Sequence, residues 1–382
     1  MFDAILLASY GGPEKTEDVD PFLDRVLQGK RVPRARRDVV RERYERFGGK
    51  SPLPQECRDF LTKLKEGSRE SENAPHLYWG NLFSPPTFDD ALAQAEKDKI
   101  ASVLVFATSP LGSTQSCARY RKAVLEALCR RSKPFARNLR LAFVPPFFDR
   151  PVASLAVADE LLKALAMDDL ECNLFSDSDR EEPTRRLLLF TAHSLPTVDG
   201  ITSQYRRQLV TLAATALREM LSAPGFGGRK LEKIDFLKIG DRLPEDLERE
   251  LNRENLTAGF AFQSRSGSPA IPWLEPSPSD FLRQFKKNNP GLRSVIVSPI
   301  GFFFDNMETI WDLDVELRAT CDELSVSFRK AECCGASRRF VDELLNLARQ
   351  NPEDFPQCDP LRGICDLSCK SSPKTEALEK SN

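Results

Sequence analysis

The sequence is poor in histidine, in net charge and in long apolar runs. It has two histidines, His76 and His193, so imidazole chemistry has only two candidates. Its 55 basic and 57 acidic side chains nearly balance, whereas a nucleic-acid binder is usually strongly basic. No apolar run approaches the ~18 residues of a membrane span, and the first residues lack the features of a signal peptide. We therefore expect a cytoplasmic protein with no transmembrane segment and no nucleic-acid partner.

Two motifs of well-known sites are also missing. No G-x-S-x-G turn surrounds Ser194, and this serine would point away from the adjacent His193 on a strand, which excludes a serine hydrolase there. The ten cysteines include no C-x-x-C pair, which excludes a zinc ribbon. Five of the ten lie between Cys333 and Cys369. In a cytoplasmic chain they indicate free thiols or a metal site.

Short apolar runs alternate with amphipathic stretches along the chain, which predicts an α/β fold. Nearly continuous apolar runs are typical of parallel strands buried on both faces. The predicted strands are residues 4–11, 75–81, 100–110, 139–147, 186–194, 234–240, 258–264, 294–302 and 324–332. The predicted helices include residues 16–28, 149–166, 203–221 and 277–288. We expect two domains, at 1–150 and 151–350, and a cysteine-bearing tail at 351–382.

The most unusual stretch is SPIGFFFDNMETIWDLDVEL, residues 298–317. It leaves a predicted strand and begins a predicted helix, on which Glu308, Asp312 and Glu316 are spaced by four and form a ladder on one face. The ladder is either an exposed acidic face or a cation path. The interleaved aromatic residues favour a path that leads to a flat, apolar ligand. His193, at the end of another predicted strand, is on these grounds either a structural residue or a catalyst.

A basic run, KRVPRARRDVVRERYERF, covers residues 30–47. A solvated helix face with ion pairs between residues four apart is the preferred interpretation. The alternative is a rim that attracts an anionic ligand.

Together these segments resemble the ferrochelatase family from Ile5 to about Leu347. The matching segments, in order, are LLASYGGPEKTEDVDPFL, RVPRARRDVVRERYERFGGKSPL, YWGN with FATSPLGSTQSCARYR, TAHSLP, FQSRSGSPAIPWLEP, and SPIGFFFDNMETIWDLDVE. The resemblance implies two Rossmann-like domains with parallel sheets and a porphyrin cleft between them. It is greatest for bacterial members that use coproporphyrin III.

The resemblance also implies roles for single residues. His193 would take pyrrole protons or hold the iron, with a pKa low enough to keep it neutral. Glu308 would face His193 as a second catalytic and metal-binding residue, with Asp312 and Glu316 as the outer steps of a metal and proton path. Tyr10 would lie near the metal and the porphyrin. The remaining porphyrin-binding candidates are Arg34, Arg37, Arg41, Ser51, Ser113 and Tyr120.

Two departures from the family pattern concern the site. Asn306 stands where the family usually has histidine, and Leu82 where an arginine often follows Gly-Asn. Some bacterial members hold a [2Fe–2S] cluster with one internal and three C-terminal cysteines. Cys172, Cys358, Cys365 and Cys369 fit those places, and spectator thiols are the alternative.

The resemblance thus implies an enzyme, a lyase of haem biosynthesis, that inserts Fe²⁺ into a porphyrin. Coproporphyrin III is favoured over protoporphyrin IX, and no cofactor is needed for catalysis. We expect a monomer and leave peripheral membrane contact open. The alternatives are a non-catalytic porphyrin- or haem-binding protein and a chelatase for another tetrapyrrole or metal.

Overall fold

The computed structural model describes residues 1–29, 32–69, 71, 73–174, 185–197, 201–226, 242–267 and 270–355. The chain forms two compact units. The first contains Met1–Phe147 together with Arg338–Asn382, and the second contains Phe148–Ser337.

The first unit is built on a four-stranded parallel sheet in the order β2-β1-β3-β4. Its strands are β1 (Ala4–Ser9), β2 (His76–Asn81), β3 (Ser102–Ala107) and β4 (Arg140–Phe143). All six residues of β1 are buried, as expected for a central strand covered on both faces. The helices are α1 (Thr16–Leu27), α2 (Arg34–Arg46), α3 (Leu53–Gly67), α4 (Phe88–Lys97), α5 (Cys117–Cys129) and α6 (Lys133–Asn138), with α13 (Arg338–Ala348) near the end of the described chain.

The second unit repeats this strand order in its own parallel sheet, β6-β5-β7-β8. Its strands are β5 (Arg185–His193), β6 (Leu256–Gln263), β7 (Leu292–Ser298) and β8 (Ser327–Lys330). Its helices are α7 (Pro151–Leu174), α8 (Ile201–Leu221), α9 (Glu245–Arg253), α10 (Pro278–Asn288), α11 (Met307–Thr309) and α12 (Arg318–Glu323), with a π-helix at Ile310–Leu317. Short 3₁₀ turns lie at Pro224–Phe226, Cys334–Ala336 and, in the first unit, Pro352–Asp354.

The two parallel sheets with their helices confirm the predicted α/β fold class. Eight of the nine predicted runs contain a strand, and the ninth, residues 234–240, lies outside the described residues. The four predicted helices are also present. Within the described ranges, no helix has the length and apolar character needed to cross a membrane.

Helix α13 belongs to the first unit, although it follows the second unit in the chain. Its Phe340 ring lies 5.0 Å from that of Phe147 and 6.5 Å from that of Phe106. The Phe2 backbone N–H donates to the Ala348 carbonyl at 2.8 Å. These contacts place α13 in the core of the first unit, whereas the sequence boundary at residue 350 assigned it to the second domain.

Candidate functional site

His193 is the last residue of β5, at the carboxyl end of the second sheet. The five residues before it, from Leu188 to Ala192, are each 0% exposed, while the His193 side chain is 28% exposed. Gln263, the last residue of β6, is its neighbour in the parallel pairing. Ligands of parallel sheets bind at this edge, so an apolar strand carries the imidazole to the expected position.

The two ring nitrogens of His193 have different partners. Nδ1 lies 2.6 Å from the Ser194 carbonyl oxygen, and Nε2 lies 3.6 Å from Glu308 Oε2. A carbonyl oxygen only accepts, so Nδ1 carries the proton when the ring is neutral. The lone pair of the neutral imidazole is then on Nε2, facing Glu308.

The surroundings of His193 raise its pKa above the ordinary histidine value. Burial of the ring lowers the pKa, but the Glu308 carboxylate, the Ser194 carbonyl and the charge of Asp312 together outweigh that effect. The direction of this shift is therefore opposite to the expected lowering of the pKa. The expectation considered burial alone, whereas the nearest charge comes from a residue distant in sequence.

Asn306 and Gln263 hold the backbone around Glu308. Asn306 Oδ1 accepts from the backbone N–H groups of Glu308 at 2.8 Å and Thr309 at 3.1 Å, so it caps the helix that begins at Met307. Gln263 Nε2 donates to the Glu308 carbonyl oxygen at 3.3 Å. Gln263 is 2% exposed, and its Oε1 has no hydrogen-bond partner among the described residues. The strand beside His193 is thus tied to the residue that faces His193.

The three acidic residues of the predicted ladder have different environments. Glu308 is 45% exposed beside His193, Asp312 is 8% exposed, and Glu316 is exposed. Ser264 Oγ donates to Asp312, and Trp311 Nε1 donates to Glu316 Oε1 at 2.6 Å. The segment Ile310–Leu317 is a π-helix and not the predicted α-helix. Residues four apart remain neighbours on one side of such a segment, and the role of these carboxylates as a path stays a prediction.

A second charged group lies beside this helix. Lys330 pairs with Asp305 at 3.2 Å and with Asp314, and its side chain is 14% exposed. Burial lowers the pKa of Lys330, but the two carboxylates raise it above its ordinary value, so the ammonium stays charged. Thr309 Oγ1 donates to Asp305 at 2.6 Å, which connects this group to the turn that carries Glu308.

Sequence reasoning missed three residues that support the pair. The sequence assigns no role to Gln263 and distinguishes Asn306 only as a departure from the family pattern. Tyr205 of α8 is buried, and this burial raises the pKa of its hydroxyl above the ordinary range. A hydrogen bond with the His193 backbone acts in the opposite direction and is the weaker of the two effects. An Asn with a Thr three residues on is a recognisable N-cap signal, whereas nothing in the sequence identifies Tyr205.

Two candidates of the first unit, Tyr10 and Arg37, contact other residues of that unit. Tyr10 follows β1, and its ring lies 4.7 Å from Phe83 and 6.2 Å from Phe22. Arg37 forms ion pairs with Asp20 and Asp24, both at 2.9 Å.

The other basic candidates lie on the same helix, α2. Arg41 pairs with Asp20 at 3.8 Å and Glu45 at 3.5 Å, while Arg34 is exposed at the start of the helix. Arg37 and Arg41 are therefore ion-paired on this helix face, and the role of the basic run in porphyrin binding stays a prediction.

Ser51, Ser113 and Tyr120 are buried, at 8%, 2% and 5% exposure. Ser113 Oγ accepts from the backbone N–H of Ser116 ahead of α5, and Tyr120 packs in the core of the first unit. Of the four cluster candidates, Cys172 lies on α7, and Cys358, Cys365 and Cys369 lie outside the described residues.

The pair of Nε2 and a carboxylate offers a proton acceptor and two ligand atoms for a cation. Across the described ranges, no group of three or more His, Cys, Asp or Glu side chains could hold a metal ion.

Comparison with known proteins identifies a family for this chain. The family model described as ferrochelatase matches residues 2–352. A coproporphyrin III ferrochelatase of Nocardia farcinica is 32% identical over 359 residues, in a match that covers 91% of this chain and 88% of that protein. A ferrochelatase of Rhodopirellula baltica is 31% identical over 376 residues, 96% of this chain and 93% of that protein. Among solved structures, SirB from Bacillus subtilis with Fe³⁺ is 13% identical, with a TM-score of 0.47, covering 93% of this chain and 99% of that one.

Proposed function

Because this chain belongs to the ferrochelatase family, whose enzymes insert iron into a porphyrin, we propose that it inserts Fe²⁺ into coproporphyrin III with His193 and Glu308 as its catalytic residues. The observation that carries the assignment of residues is the pairing of His193 Nε2 with Glu308 Oε2 at 3.6 Å, at the carboxyl end of a parallel sheet.

The pair accounts for the protons of the reaction. Insertion of Fe²⁺ replaces two pyrrole N–H protons, which bases near the ring must accept. In the free protein the raised pKa of His193 favours an imidazolium beside the Glu308 carboxylate. An Fe²⁺ that approaches Glu308 repels this charge and favours loss of the proton from Nε2 to solvent water, to which the ring is 28% exposed. The freed Nε2 then accepts a pyrrole proton, while Glu308 holds the metal or takes the second proton.

Asp312 and Glu316 form the outer part of the proposed iron path. Asp312 is buried and contributes its charge at His193, whereas Glu316 is exposed on the same helical segment. Oxygen ligands of this kind bind divalent cations, and a series of single carboxylates holds each ion weakly enough to release it. Tyr10 is proposed to contact the macrocycle near its centre.

The choice of coproporphyrin III rests on similar proteins. The relatives from Nocardia farcinica and Mycolicibacterium smegmatis, each 32% identical to this chain, are named coproporphyrin III ferrochelatases. The test is anaerobic insertion of Fe²⁺ by the purified chain, followed through the visible absorption of the porphyrin, with coproporphyrin III and protoporphyrin IX in parallel. A higher kcat/KM for coproporphyrin III is expected. A preference for protoporphyrin IX refutes the choice of substrate, and tight binding of both without insertion refutes the enzyme.

We also propose that the chain carries a [2Fe–2S] cluster on Cys172, Cys358, Cys365 and Cys369. The number of thiols and their positions in the sequence support it. The protein as isolated under anaerobic conditions should absorb in the visible range and contain acid-labile sulfide. A colourless protein without sulfide contradicts the cluster.

A further inference from the structure

The residue that follows β6 has an unusual backbone conformation. Gln263 is the last residue of β6 and pairs with His193, and Ser264 comes directly after it. Ser264 has a φ of 62°, in the left-handed region that glycine enters freely and other residues seldom enter. A residue other than glycine stays in this region only where its surroundings hold it there, and such residues are frequent at functional sites.

This conformation brings the Ser264 hydroxyl to the π-helix. Ser264 Oγ donates a hydrogen bond to Asp312 Oδ2, although the two residues are 48 positions apart. The Asp312 side chain is buried, whereas Ser264 is half-buried. A carboxylate that accepts a hydrogen bond from a fixed donor cannot turn freely about its Cβ–Cγ bond. The strained residue therefore fixes the direction in which the Asp312 oxygens point.

The neighbouring Gln263 acts on Glu308 in a similar way. Its Nε2 donates to the Glu308 carbonyl oxygen at 3.3 Å, and its backbone carbonyl accepts from the Ser194 N–H at 2.6 Å. The Gln263 Oε1 atom is buried and has no hydrogen-bond partner within the described ranges, which costs stability. Two consecutive residues at the end of β6 thus hold the two inner acidic residues of the proposed iron path.

We propose that Ser264 is a positioning residue for iron, whose hydroxyl orients the Asp312 carboxylate toward the Fe²⁺ that passes to Glu308. The identity of the metal and of its path rests on the proposed function. Carboxylates that bind metals are commonly held by a second hydrogen bond, and loss of that partner weakens metal binding about 10- to 100-fold. Ser264 acts through Asp312 and needs no contact of its own with the metal.

The test compares Ser264→Ala and Ser264→Gly in the full chain. Both variants lack the hydroxyl, and glycine also relieves the left-handed backbone. Ser264→Gly should therefore have a higher Tm than Ser264→Ala. Anaerobic calorimetric titration gives Kd for Fe²⁺ without porphyrin, and initial rates give the KM values. Both variants should raise Kd and KM for Fe²⁺ about tenfold and leave KM for coproporphyrin III nearly unchanged.

Ser294→Ala is the matched control. Ser294 Oγ donates to Oδ2 of the buried Asp168 at 2.9 Å, so this substitution removes the same kind of bond. Ser294 pairs with Arg186, at the opposite end of β5 from His193. Ser294→Ala should lower Tm and leave Kd and KM for Fe²⁺ at the wild-type values. An equal rise of Kd in Ser294→Ala overturns the positioning role, as do wild-type Kd and KM values for Fe²⁺ in Ser264→Gly.

Failure of this inference and failure of the proposed function give different results. If wild type inserts no iron but both Ser264 variants still bind Fe²⁺ more weakly, the positioning role holds and the enzyme assignment fails. If wild type inserts iron and both variants keep the wild-type Kd and KM for Fe²⁺, the enzyme assignment holds and the positioning role fails.

Discussion

The sequence and the structure suggest two different effects of having Asn306 where the family usually has histidine. From the sequence, an amide in place of histidine cannot carry a proton, which predicts altered metal delivery. In the structure, the same amide caps the helix on which Glu308 stands. Substitution of Asn306 separates these two roles, because alanine removes the cap while serine and aspartate restore it without an imidazole.

The expected magnitude follows from the two hydrogen bonds of the cap. Asn306 Oδ1 accepts from the N–H of Glu308 at 2.8 Å and of Thr309 at 3.1 Å. Loss of such a cap lowers the free energy of unfolding by about 1 kcal/mol. For a folding unit of this size, that is a decrease in Tm of roughly 2–4 °C. Displacement of the Glu308 backbone should also lower kcat, and small shifts of catalytic groups cost up to about 100-fold.

The assay compares Asn306→Ala, Asn306→Ser and Asn306→Asp by thermal unfolding and by iron insertion at saturating porphyrin. We expect Asn306→Ala to lose both stability and kcat, with KM for the porphyrin nearly unchanged, and the serine and aspartate variants to stay close to wild type. Equal losses in all three variants would refute the capping argument, as would an Asn306→Ala protein with the stability and kcat of wild type.

Three further predictions concern the second unit. Glu308→Gln should lower the pKa of His193, because the Glu308 carboxylate stabilises the protonated ring. An NMR titration of the two histidines gives the pKa of His193, and the His76→Gln variant assigns the two signals. The pKa of His193 is higher in the folded protein than in the unfolded chain. The stabilisation by the His193–Glu308 pair is therefore complete at a pH below the pKa of the unfolded chain, and it is lost as the pH rises through the pKa of the folded protein. Lys330→Met removes the partly buried ammonium that Asp305 and Asp314 share, which leaves Asp314 with Arg318 at 3.7 Å and Asp305 with the Thr309 hydroxyl, and should cost about 2 kcal/mol in urea unfolding. The exposed pair of Arg283 and Glu323 provides its control, since Arg283→Met should cost under about 1 kcal/mol. A new Cβ at Gly301 would lie 2.4 Å from Ala192 Cβ, so Gly301→Ala should lower the free energy of unfolding by about 1–3 kcal/mol. Gly291→Ala is the control, because a Cβ there would meet open space and should leave the stability unchanged. A pKa unchanged in Glu308→Gln, or losses as large in the two control variants, would contradict these arguments.

The sequence is sufficient to predict the sheets and the strand that carries His193. The run before His193 is continuously apolar, and such runs identify buried parallel strands without knowledge of their partners. Apolar runs do not predict the order of the strands in each sheet, nor do they predict which unit α13 joins. The Phe340 ring of α13 packs against residues of the first unit that lie almost two hundred positions earlier, and local patterns do not encode such contacts.

The site is predictable in its residue types and less so in its geometry. The Glu308 side chain was expected to face His193, and the two lie 3.6 Å apart. The π-helix at Ile310–Leu317 was not expected, because apolar and charged spacing alone does not separate a π-turn from an α-turn. The direction of the His193 pKa shift was wrong because it depends on the balance between burial and two carboxylates. That balance requires distances that no sequence pattern supplies.

The central claim is that His193 carries out iron insertion and is not needed to hold the porphyrin. Its most direct test is a single-turnover experiment under anaerobic conditions, with Fe²⁺ and coproporphyrin III, on wild type and His193→Ala. We predict that His193→Ala binds coproporphyrin III with nearly the wild-type Kd and forms no metalloporphyrin above the uncatalysed rate. Insertion by His193→Ala within a few-fold of the wild-type rate would contradict the account.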